Sequence, residues 1–330
     1  MSHDKSDDEA LEDPMRPMDM VNALLGKVET TPIDISVVIP HLNQPEHLRR
    51  SLEAVHTQKG LRANFEVIVV DNGSKTLPKD ICALWPDVTL LQEPTPGPGP
   101  ARNKGVSAAK GQIIACVDAD CRAESHWLAT ILAAFEDPDV EIIGGDVQVP
   151  YQDRMNPTAL EAYERVYAYR NHQYVASGYS GTGNLAFRKT AFERVGGFGG
   201  IEIAEDKDWG LRAGKLGVKT HFVPAMIVYH PARTHLDDMK AKWDRHIGHD
   251  HSKVSTMADK ARFLAKALAL AVSPLAEVPN LMRTSRLRGV KERLLAFACL
   301  TRVRLYRAKR MLGVLITGNS AALSGAWNRK

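Results

Sequence analysis

Residues 111–120 read Gly-Gln-Ile-Ile-Ala-Cys-Val-Asp-Ala-Asp, an apolar run of strand length that ends in two acids one residue apart. In an open α/β sheet, such a strand delivers its last residues to the ligand-binding carboxyl edge. Alternate side chains point the same way, so Asp118 and Asp120 can converge on one divalent cation while Ala119 leaves room for a ligand. An Asp-x-Asp pair also occurs as a solvated turn. The stretch predicts a site for a metal-bound diphosphate, and its surroundings must support that prediction.

Strands and helices alternate on both sides of this stretch, from about Ile33 onward. The runs Ile35–Ile39 and Phe65–Val70 are almost wholly apolar, as in strands whose sheet is covered by helices on both faces. This rhythm predicts an α/β fold with a mostly parallel sheet flanked by helices, the first half binding a nucleotide and the second an acceptor. Other strands are predicted at Val88–Leu91, Ile142–Val149 and Asn184–Arg188, and the main helices at Pro45–Gln58, Leu77–Leu84, Ala101–Ala109, Ser125–Phe135, Pro157–Tyr174 and Glu205–Leu216.

The composition is that of a globular protein with reduced cysteines. Of its 330 residues, 44% are hydrophobic and 25% charged. The four cysteines show no C-x-x-C spacing, which favours free thiols in a cytoplasmic protein. The first nine residues are acidic, whereas a secretory signal would begin with basic and then apolar residues.

Charge divides the chain into three predicted parts. Residues 1–31 are expected to form a flexible acidic tail, with at best a short helix at Met18–Leu25, and 32–240 the catalytic domain. Residues 241–330 should form a basic helical extension, in which ten basic residues between Arg283 and Arg310 face only Glu292. Its apolar runs are too short to cross a bilayer. They suit peripheral contact with the anionic inner face of the cytoplasmic membrane, or a helical cap on the catalytic domain.

Four landmarks recur in order along the folded part: Ile39–Asn43, Val70–Ser74, Asp118–Asp120 and Ala204–Trp209. With these motifs at these separations, the chain from about Ile33 to His235 resembles the family 2 glycosyltransferases, inverting enzymes with the GT-A fold. The resemblance implies a nucleotide-sugar donor, most often a UDP-sugar, and a divalent metal. It also implies transfer of one sugar to a hydroxyl of a glycan or lipid-linked acceptor, with inversion.

The first two landmarks are candidates for binding the nucleotide. Pro40 is expected to end the first strand, and the exposed backbone after it, together with Asn43, can pair with a base edge or ribose. His41 is interpreted as an ordinary loop residue. Asp71 can accept the N3–H of uracil, which cytosine lacks, or form an Asx-turn to Gly73, or do both.

A stiff Pro/Gly loop, residues 94–100, leads into a helix that begins near Arg102 and Asn103. Helix N-termini and arginines both favour diphosphate, so Arg102 is predicted to touch the donor. The resembled family carries an Arg-Asn pair at this position, which assigns Asn103 to the donor site as well. An ordinary solvated arginine in the first helical turn is the alternative.

The acidic turn carries the predicted metal site. Asp120 is the expected ligand, and Asp118 ligates the metal as well or holds the ribose or a metal-bound water. Oxygen ligands suit Mn²⁺ or Mg²⁺. Family members often recruit a later histidine, for which His230 is the candidate and His235 the competitor. Cys121 departs from the small or acidic residue that many relatives have there, which leaves the donor sugar open.

Inverting transfer needs a base opposite the leaving group. The resemblance places this base at Asp206, with Glu205 orienting it or contacting the acceptor and Trp209 stacking beneath the sugar. Acids in the first turn of a helix are also stabilised by its dipole, and Asp208 and Glu202 are interpreted in this way, without a catalytic role.

Three other functions use part of the same pattern. Phosphatases of the haloacid dehalogenase type also carry Asp-x-Asp after an apolar strand, but near the start of the domain and followed by Thr or Val. Nucleotidyltransferases have a glycine-rich loop after the first strand, where residues 40–45 contain no glycine. A non-catalytic membrane-surface or nucleic-acid module would explain the basic extension and leave the acidic landmarks without a role, so no nucleic-acid partner is expected.

Overall fold

An eight-stranded mixed sheet forms the centre of the protein, in the strand order β3-β2-β1-β4-β7-β6-β8-β5. The first four positions are parallel, β7 runs antiparallel to β4 and β6, and β5 runs antiparallel to β8. The sheet is mostly parallel, as predicted: six strands run in one direction, and β5 and β7 run in the other. The strands are β1 Ile35–His41, β2 Phe65–Asp71, β3 Val88–Gln92, β4 Ile113–Val117, β5 Arg122–Ala123, β6 Ile142–Gln148, β7 Asn184–Arg188 and β8 Thr220–Tyr229.

The structure is a computed structural model that describes residues 32–318, apart from the side chain of His249. The predicted acidic tail and its short helix at Met18–Leu25 lie outside the described residues. The helices are α1 Pro45–His56, α2 Lys79–Cys82, α3 Pro98–Ala108, α4 Trp127–Ala134, α5 Ala159–Tyr167, α6 Asn171–Ala176, α7 Lys189–Val195, α8 Glu205–Lys215, α9 Leu236–His251, α10 Met257–Val272, a 3-10 turn Leu275–Glu277, α11 Val278–Arg283 and α12 Gly289–Thr317.

Two apolar cores lie on opposite faces of the sheet. Helices α1 and α4 cover one face, with Trp127 fully buried among the strands. Helices α3, α7 and α8 contribute to the other core, where Trp209 packs against Phe187 and Phe198. The near-continuous apolar strands predicted from the sequence are thus explained by helices on both faces.

Helix α3 approaches the sheet very closely through Gly105. A Cβ atom at this position would lie 2.4 Å from Cγ1 of Val38 in β1. No side chain larger than hydrogen fits there without moving the helix. This contact holds the N-terminal turn of α3 beside the carboxyl ends of β1 and β4.

Two elements differ from their predicted form. Pro40 does not end the first strand, because β1 continues through His41, which pairs with Asp71. A proline lacks only the amide donor, and the His41 carbonyl still accepts from the Asn72 amide at 2.8 Å. The single helix predicted from Pro157 to Tyr174 is two helices, α5 and α6, separated at Tyr169, whose φ of +50° is not helical.

Strand β8 carries a bulge that the sequence pattern did not indicate. Gly145 pairs with Val223, whereas the next residue of β6, Asp146, pairs with Ile227. Residues 224–226 of β8 are therefore extra, and Asn184 donates from its amide to the Met226 carbonyl within the bulge at 2.8 Å. After the bulge, β8 runs to Tyr229 and delivers His230 to the edge of the sheet.

The C-terminal helices pack against the rest of the fold. Helix α12 lies along α5 and α10, and its residues Ala296 and Leu300 are buried beside α5. The predicted boundary at residue 240 falls inside α9. Within residues 32–318, no helix is long and apolar enough to cross a bilayer.

Candidate active site

The carboxyl ends of β2, β1 and β4 meet at one edge of the sheet, because these three strands are parallel neighbours. Neighbouring strands lie about 4.8 Å apart, so the ends of β2 and β4 are roughly 10 Å from each other. Asp71 is the last residue of β2, and Asp118 follows β4 directly. The topology therefore brings the nucleotide landmark and the acidic turn to the same edge.

Asp71 is buried and held by protein donors. Its carboxylate lies 2.9 Å from Nδ1 of His41 and accepts from the amides of Gly73 and Ser74 at 3.1 and 3.0 Å. Burial acts to raise the pKa of Asp71, but hydrogen bonds from Ser74 and His41 outweigh it and the pKa is lowered. The structure has the Asx-turn to Gly73, and His41 is a buried partner of Asp71, not an ordinary loop residue.

Asn43 shapes the loop after β1. Its backbone has a φ of +53°, a region that asparagine tolerates better than most residues. Its side-chain oxygen accepts from the Lys75 amide at 2.9 Å, and its own amide donates to Ser74 Oγ at 2.8 Å. These bonds join the loops that follow β1 and β2, and the side chain of Asn43 remains exposed.

Arg102 connects the acidic turn to the start of α8. Its Nη2 donates to Asp118 at 2.6 Å, and its Nη1 donates to Glu205 at 3.1 Å. Only 3% of the arginine side chain is exposed, whereas Asp118 is 38% exposed. Gly183 permits this arrangement, since a Cβ there would lie 2.7 Å from Asp118 Oδ2.

The side chain of Asn103 is also turned toward protein. It donates to the Phe198 carbonyl at 2.9 Å and accepts from the Phe198 amide at 2.8 Å. These two hydrogen bonds to the backbone of Phe198 fix the glycine-rich turn at residues 196–200 against α3. The predicted contacts of Arg102 and Asn103 with the donor remain predictions, because both side chains are occupied by protein partners.

Asp120 and His230 come together although 110 positions separate them in the sequence. His230 Nε2 lies 3.3 Å from Asp120 Oδ2, and His230 Nδ1 lies 2.7 Å from the Pro231 carbonyl. A carbonyl accepts only from a protonated nitrogen, so Nδ1 carries a hydrogen and Nε2 is the atom turned to the carboxylate. His235, the alternative candidate, is exposed and precedes α9.

Each member of this pair shifts the pKa of the other. Burial acts to raise the pKa of Asp120, but the hydrogen bond and charge of His230 outweigh it and the pKa is lowered. Burial acts to lower the pKa of His230, but Asp120 outweighs it and the pKa is raised. A cation that binds here would take the place of the proton on the imidazole.

The donor set suits a hard divalent cation. Ligand atoms of Asp118, Asp120 and Cys121 all lie within 4.8 Å of one another. Burial, with the charges of the two aspartates, holds the pKa of the Cys121 thiol well above its usual range, so this sulfur stays protonated. Of these three side chains, the two carboxylates therefore suit Mn²⁺ or Mg²⁺, and His230 Nε2 lies 3.3 Å from the carboxylate of Asp120.

Tyr169 orients His230, and the sequence analysis did not find it. Its ring packs 4.5 Å from the imidazole, and its hydroxyl lies 2.9 Å from Nε2. No motif marks this residue, which lies in a stretch that resembles continuous helix. Its positive φ, a conformation rare for tyrosine, could be known only from the structure.

Glu205 and Asp206 form the first turn of α8. Burial raises the pKa of both carboxyls, and the negative charge of Asp118 contributes in each case. Asp206 accepts from the Lys207 amide at 2.7 Å. Glu205 is ion-paired with Arg102, whereas within residues 32–318 no basic nitrogen lies within 4.0 Å of the Asp206 carboxylate.

The other predictions for this helix have mixed outcomes. Trp209 does not stack beneath a sugar, because it is only 1% exposed and donates to the Gly196 carbonyl from inside the core. The indole of Trp209 faces the sheet. The sequence does not indicate which side of α8 packs on the sheet, so this orientation was not predicted. Asp208 pairs with Arg212 one turn later at 2.8 Å, and Glu202 lies exposed before the helix.

A cleft of about 690 Å³ opens at Asp120. Its walls include His47 and Arg50 of α1, Arg122 of β5 and Tyr151 of the loop after β6. None of these four was predicted as a site residue, because each reads as a solvated helical or loop position. The cleft gives a ligand of substrate size access to the acidic turn.

The chain matches known glycosyltransferases. Residues 36–196 match the model of "Glycosyl transferase family 2". Glycosyltransferase AglE of Haloferax volcanii is 32% identical over 209 residues, which cover 60% of this chain and 67% of AglE. The pre-mycofactocin glycosyltransferase of Mycobacterium tuberculosis is 31% identical over 221 residues, which cover 63% of this chain but only 45% of that protein.

A solved structure, mannosyltransferase PcManGT from Pyrobaculum calidifontis in complex with GDP-Man and Mn²⁺, is similar with a TM-score of 0.47 and 18% identity. The similarity covers 89% of this chain and 79% of that one. The resemblance seen in the four landmarks is confirmed by the sequence relatives, as is the predicted enzyme class. An α/β sheet flanked by helices, an acidic turn after β4 and the extent of the similarity to AglE agree: the chain belongs to glycosyltransferase family 2.

Proposed function

We propose that this glycosyltransferase is metal-dependent and inverting, and that it moves a sugar from a UDP-sugar to a hydroxyl of a glycan or lipid-linked acceptor. The observation that carries the proposal is the Arg102 bridge between Asp118 and Glu205. It holds the turn suited to the leaving diphosphate and the helix that bears Asp206 in one cluster. A donor and an acceptor bound at these two elements would meet at the same point.

The donor site of the proposal uses the edge formed by β1 and β2. A carboxylate has about four acceptor positions, and Asp71 uses three of them within the protein, which leaves one for the N3–H of uracil. Asn43 and the backbone at Pro40 would hold the ribose or base edge. Arg102 contributes its positive charge through Asp118, and Asn103 holds the neighbouring turn.

The metal of the proposal is Mn²⁺ or Mg²⁺, held by Asp118, Asp120 and His230. When bound, such a cation neutralises the negative charge that develops on a departing diphosphate. The Pro231 carbonyl, which accepts from Nδ1, keeps His230 Nε2 turned toward Asp120, and the ring of Tyr169 packs against the imidazole. The protein thus supplies ligands whose directions are fixed before any ligand arrives.

Asp206 is the proposed base. The acceptor hydroxyl attacks the anomeric carbon, the bond from that carbon to the phosphate oxygen breaks, and its electron pair leaves with UDP. The hydroxyl proton goes to Asp206. Burial raises the pKa of this carboxyl, which makes it a better proton acceptor than an exposed aspartate. Glu205, fixed by Arg102, limits where the first turn of α8 can place Asp206.

The proposal is tested with purified full-length chain. UDP with Mn²⁺ should raise the melting temperature, and Asp120→Asn should abolish the rise while Asp139→Asn, an exposed aspartate far from the site in the sequence, should not. A screen of donor hydrolysis across nucleotide sugars then identifies the sugar. A shift from GDP with no shift from UDP would overturn the donor assignment, and an undiminished UDP shift in Asp120→Asn would overturn the metal site.

We also propose that the chain acts in the cytoplasm, on the inner face of the membrane, with 32–240 as catalytic domain and 241–330 as extension. Helix α10 has two apolar sides. Phe263 and Ala267 pack into the core with α12, whereas Leu264, Leu268 and Val272 form an exposed stripe at i, i+4 and i+8.

Charge favours a lipid surface over a second copy of the chain. Between Met257 and Gly318 the sequence has thirteen basic and three acidic residues. Two such surfaces would repel each other, whereas anionic lipid headgroups attract the cations while the stripe enters the interface.

Vesicle sedimentation tests this location. The chain should bind vesicles of phosphatidylcholine with phosphatidylserine more tightly than pure phosphatidylcholine, and Leu264→Ser with Leu268→Ser should remove the binding. Leu84→Ser is the matched control, because Leu84 is at least as exposed (60%, against 42% for Leu264 and 55% for Leu268) but lies outside the extension. Equal sedimentation of the double variant and the original chain would contradict the proposal. So would the finding that the original chain is a dimer and the double variant a monomer, because the stripe would then bind a second copy.

A further inference from the structure

Four basic side chains from three elements converge beside the candidate active site. Lys242 and Arg245 lie on one side of α9, Arg307 reaches them from α12, and Arg233 precedes α9. The charges of Arg233, Arg245 and Arg307 all act on Lys242, which places the lysine at the centre of this cationic cluster. All four side chains are partly buried.

Glu164 pairs with Arg233, and its negative charge also acts on Lys242. Within residues 32–318, no carboxylate lies within 4.0 Å of the Lys242 or Arg307 nitrogens. Burial and the neighbouring arginines lower the pKa of Lys242 to about 8, and burial with the same cations lowers the pKa of His246 to about 4. Like charges that are partly removed from water repel each other strongly, so the fold holds a site that favours an anion.

Two buried donors at the cluster have no acceptor among the described residues. They are Nε1 of Trp243 and Nε of Arg307, whose guanidinium stacks 3.6 Å above the indole of Trp243. Buried polar groups almost always have a partner, and those that lack one call for an explanation such as an absent ion. The stacking fixes the guanidinium plane, and a fixed guanidinium presents its donors in the fork geometry that phosphate accepts.

The cluster adjoins the predicted metal site through one aromatic ring. Lys242 Nζ lies 5.9 Å from the ring centre of Tyr169. The Tyr169 hydroxyl lies 2.9 Å from His230 Nε2, and His230 lies 3.3 Å from Asp120. Tyr169 and His230 therefore connect the cationic cluster with the acidic turn.

We propose that the cationic cluster of Arg233, Lys242, Arg245 and Arg307 binds a phosphate group carried by the acceptor. This inference rests on the proposed function for its substrate. Several cations around one point suit an anion with two charges and several oxygens better than a single carboxylate. The donor diphosphate is already assigned to the turn of Asp118 and Asp120, so a second phosphate belongs to the other substrate.

Binding is measured by calorimetry on the full chain in EDTA, without donor, with sodium phosphate and with geranyl phosphate as probes. Both should bind, and Lys242→Gln should weaken both about tenfold, as expected for loss of a charge-assisted hydrogen bond. Lys260→Gln, which removes an exposed lysine of α10, should leave the affinity unchanged. The assay needs neither metal nor donor. Phosphate binding can therefore be absent while the transferase proposal holds, and it can be present while the transferase proposal fails.

Melting temperatures separate this role from a structural one. Lys242→Gln should raise the melting temperature of the free chain, because it relieves repulsion, and should diminish the rise caused by phosphate. A lysine needed for packing would instead lower the melting temperature when replaced. If Lys242→Gln does not fold, Arg307→Lys is tested instead. It keeps the positive charge but loses the paired donors of the guanidinium group, and it should weaken phosphate binding.

Two results would overturn the inference. One is equal affinity for phosphate in Lys242→Gln and the original chain. The other is competition between UDP with Mn²⁺ and geranyl phosphate, measured with metal present, because it would assign the cluster to the donor diphosphate.

Discussion

At the scale of single residues, Arg102 has the largest influence on the site. It is nearly inaccessible, and its two terminal nitrogens are bonded to carboxylates on different elements. A buried cation bonded to two acids holds the two carboxylates at a fixed separation. We therefore expect Arg102 to act as a positioning residue between the two halves of the site, and its predicted contact with the donor stays a prediction.

Replacement of Arg102 by lysine should lower the transfer rate on the order of 100-fold and also lower the melting temperature. A lysine has one point charge, which cannot reach Asp118 and Glu205 together, and small displacements of reacting groups are costly. Steady-state kinetics and thermal melts check this. Arg49→Lys is the control, because Arg49 is 40% exposed and pairs only with surface glutamates. A wild-type rate in Arg102→Lys would contradict the positioning role.

The rate should fall in acid as Asp206 becomes protonated. A base works only when ionised, and burial raises the pKa of Asp206 above the usual 3.8 of a carboxyl. The acid limb of kcat/KM should therefore lie above pH 3.8. Asp206→Asn should transfer no sugar at any pH, although UDP with Mn²⁺ still stabilises it. The control Asp208→Asn should keep the acid limb of kcat/KM at the wild-type pH. If Asp206→Asn still transfers sugar, another residue must act as the base.

At the scale of elements, two helical glycines should respond in opposite ways to alanine. Gly105→Ala in α3 should destabilise the fold by about 1–3 kcal/mol, since its Cβ meets Val38 at 2.4 Å. Gly313→Ala in α12 should stabilise it by about 1 kcal/mol, because no atom lies within 4 Å of the new Cβ and alanine favours helix. Denaturant melts of both variants measure the difference, and a shift of the same sign in both would refute the packing argument.

The break between α5 and α6 should matter for metal affinity. Tyr169→Phe keeps the ring against His230 and removes the hydroxyl that touches Nε2. A hydroxyl bonded to Nε2 competes with a cation for the same lone pair, so its loss should strengthen Mn²⁺ binding. Titration with Mn²⁺ in the presence of UDP measures this. Tyr167→Phe is the control, because the Tyr167 hydroxyl contacts Glu277 instead. Equal Mn²⁺ affinity in Tyr169→Phe would remove Tyr169 from the site.

At the scale of the whole molecule, the basic extension is part of the packing. Truncation after residue 240 would uncover Ala162, Val166 and Tyr163, which are buried under α11 and α12. The shortened chain should therefore aggregate or expose apolar surface to a fluorescent dye, and should not persist as a stable catalytic domain. A monodisperse, cooperatively melting fragment would show that the extension is dispensable.

The sequence predicted those features that depend on local patterns. Strand β2, helix α8 and the acidic turn follow from apolar runs, capping and spacing, so Asp118 and Asp120 were found by reasoning from residues. Partners such as His41 and Tyr169 were missed, because they depend on which strands become neighbours and on a backbone break without a motif. The covered side of α8 was likewise decided by tertiary packing, which misled the interpretation of Trp209.

The bulge in β8 sets the reach of the histidine at the acidic turn. Side chains of a strand alternate between faces, so loss of one residue from 224–226 would move every later side chain of β8 to the opposite face. Loss of two would preserve the face and shorten the strand by about 7 Å. Homologues that vary in length here should therefore gain or lose residues in pairs, or place a different ligand beside the aspartate.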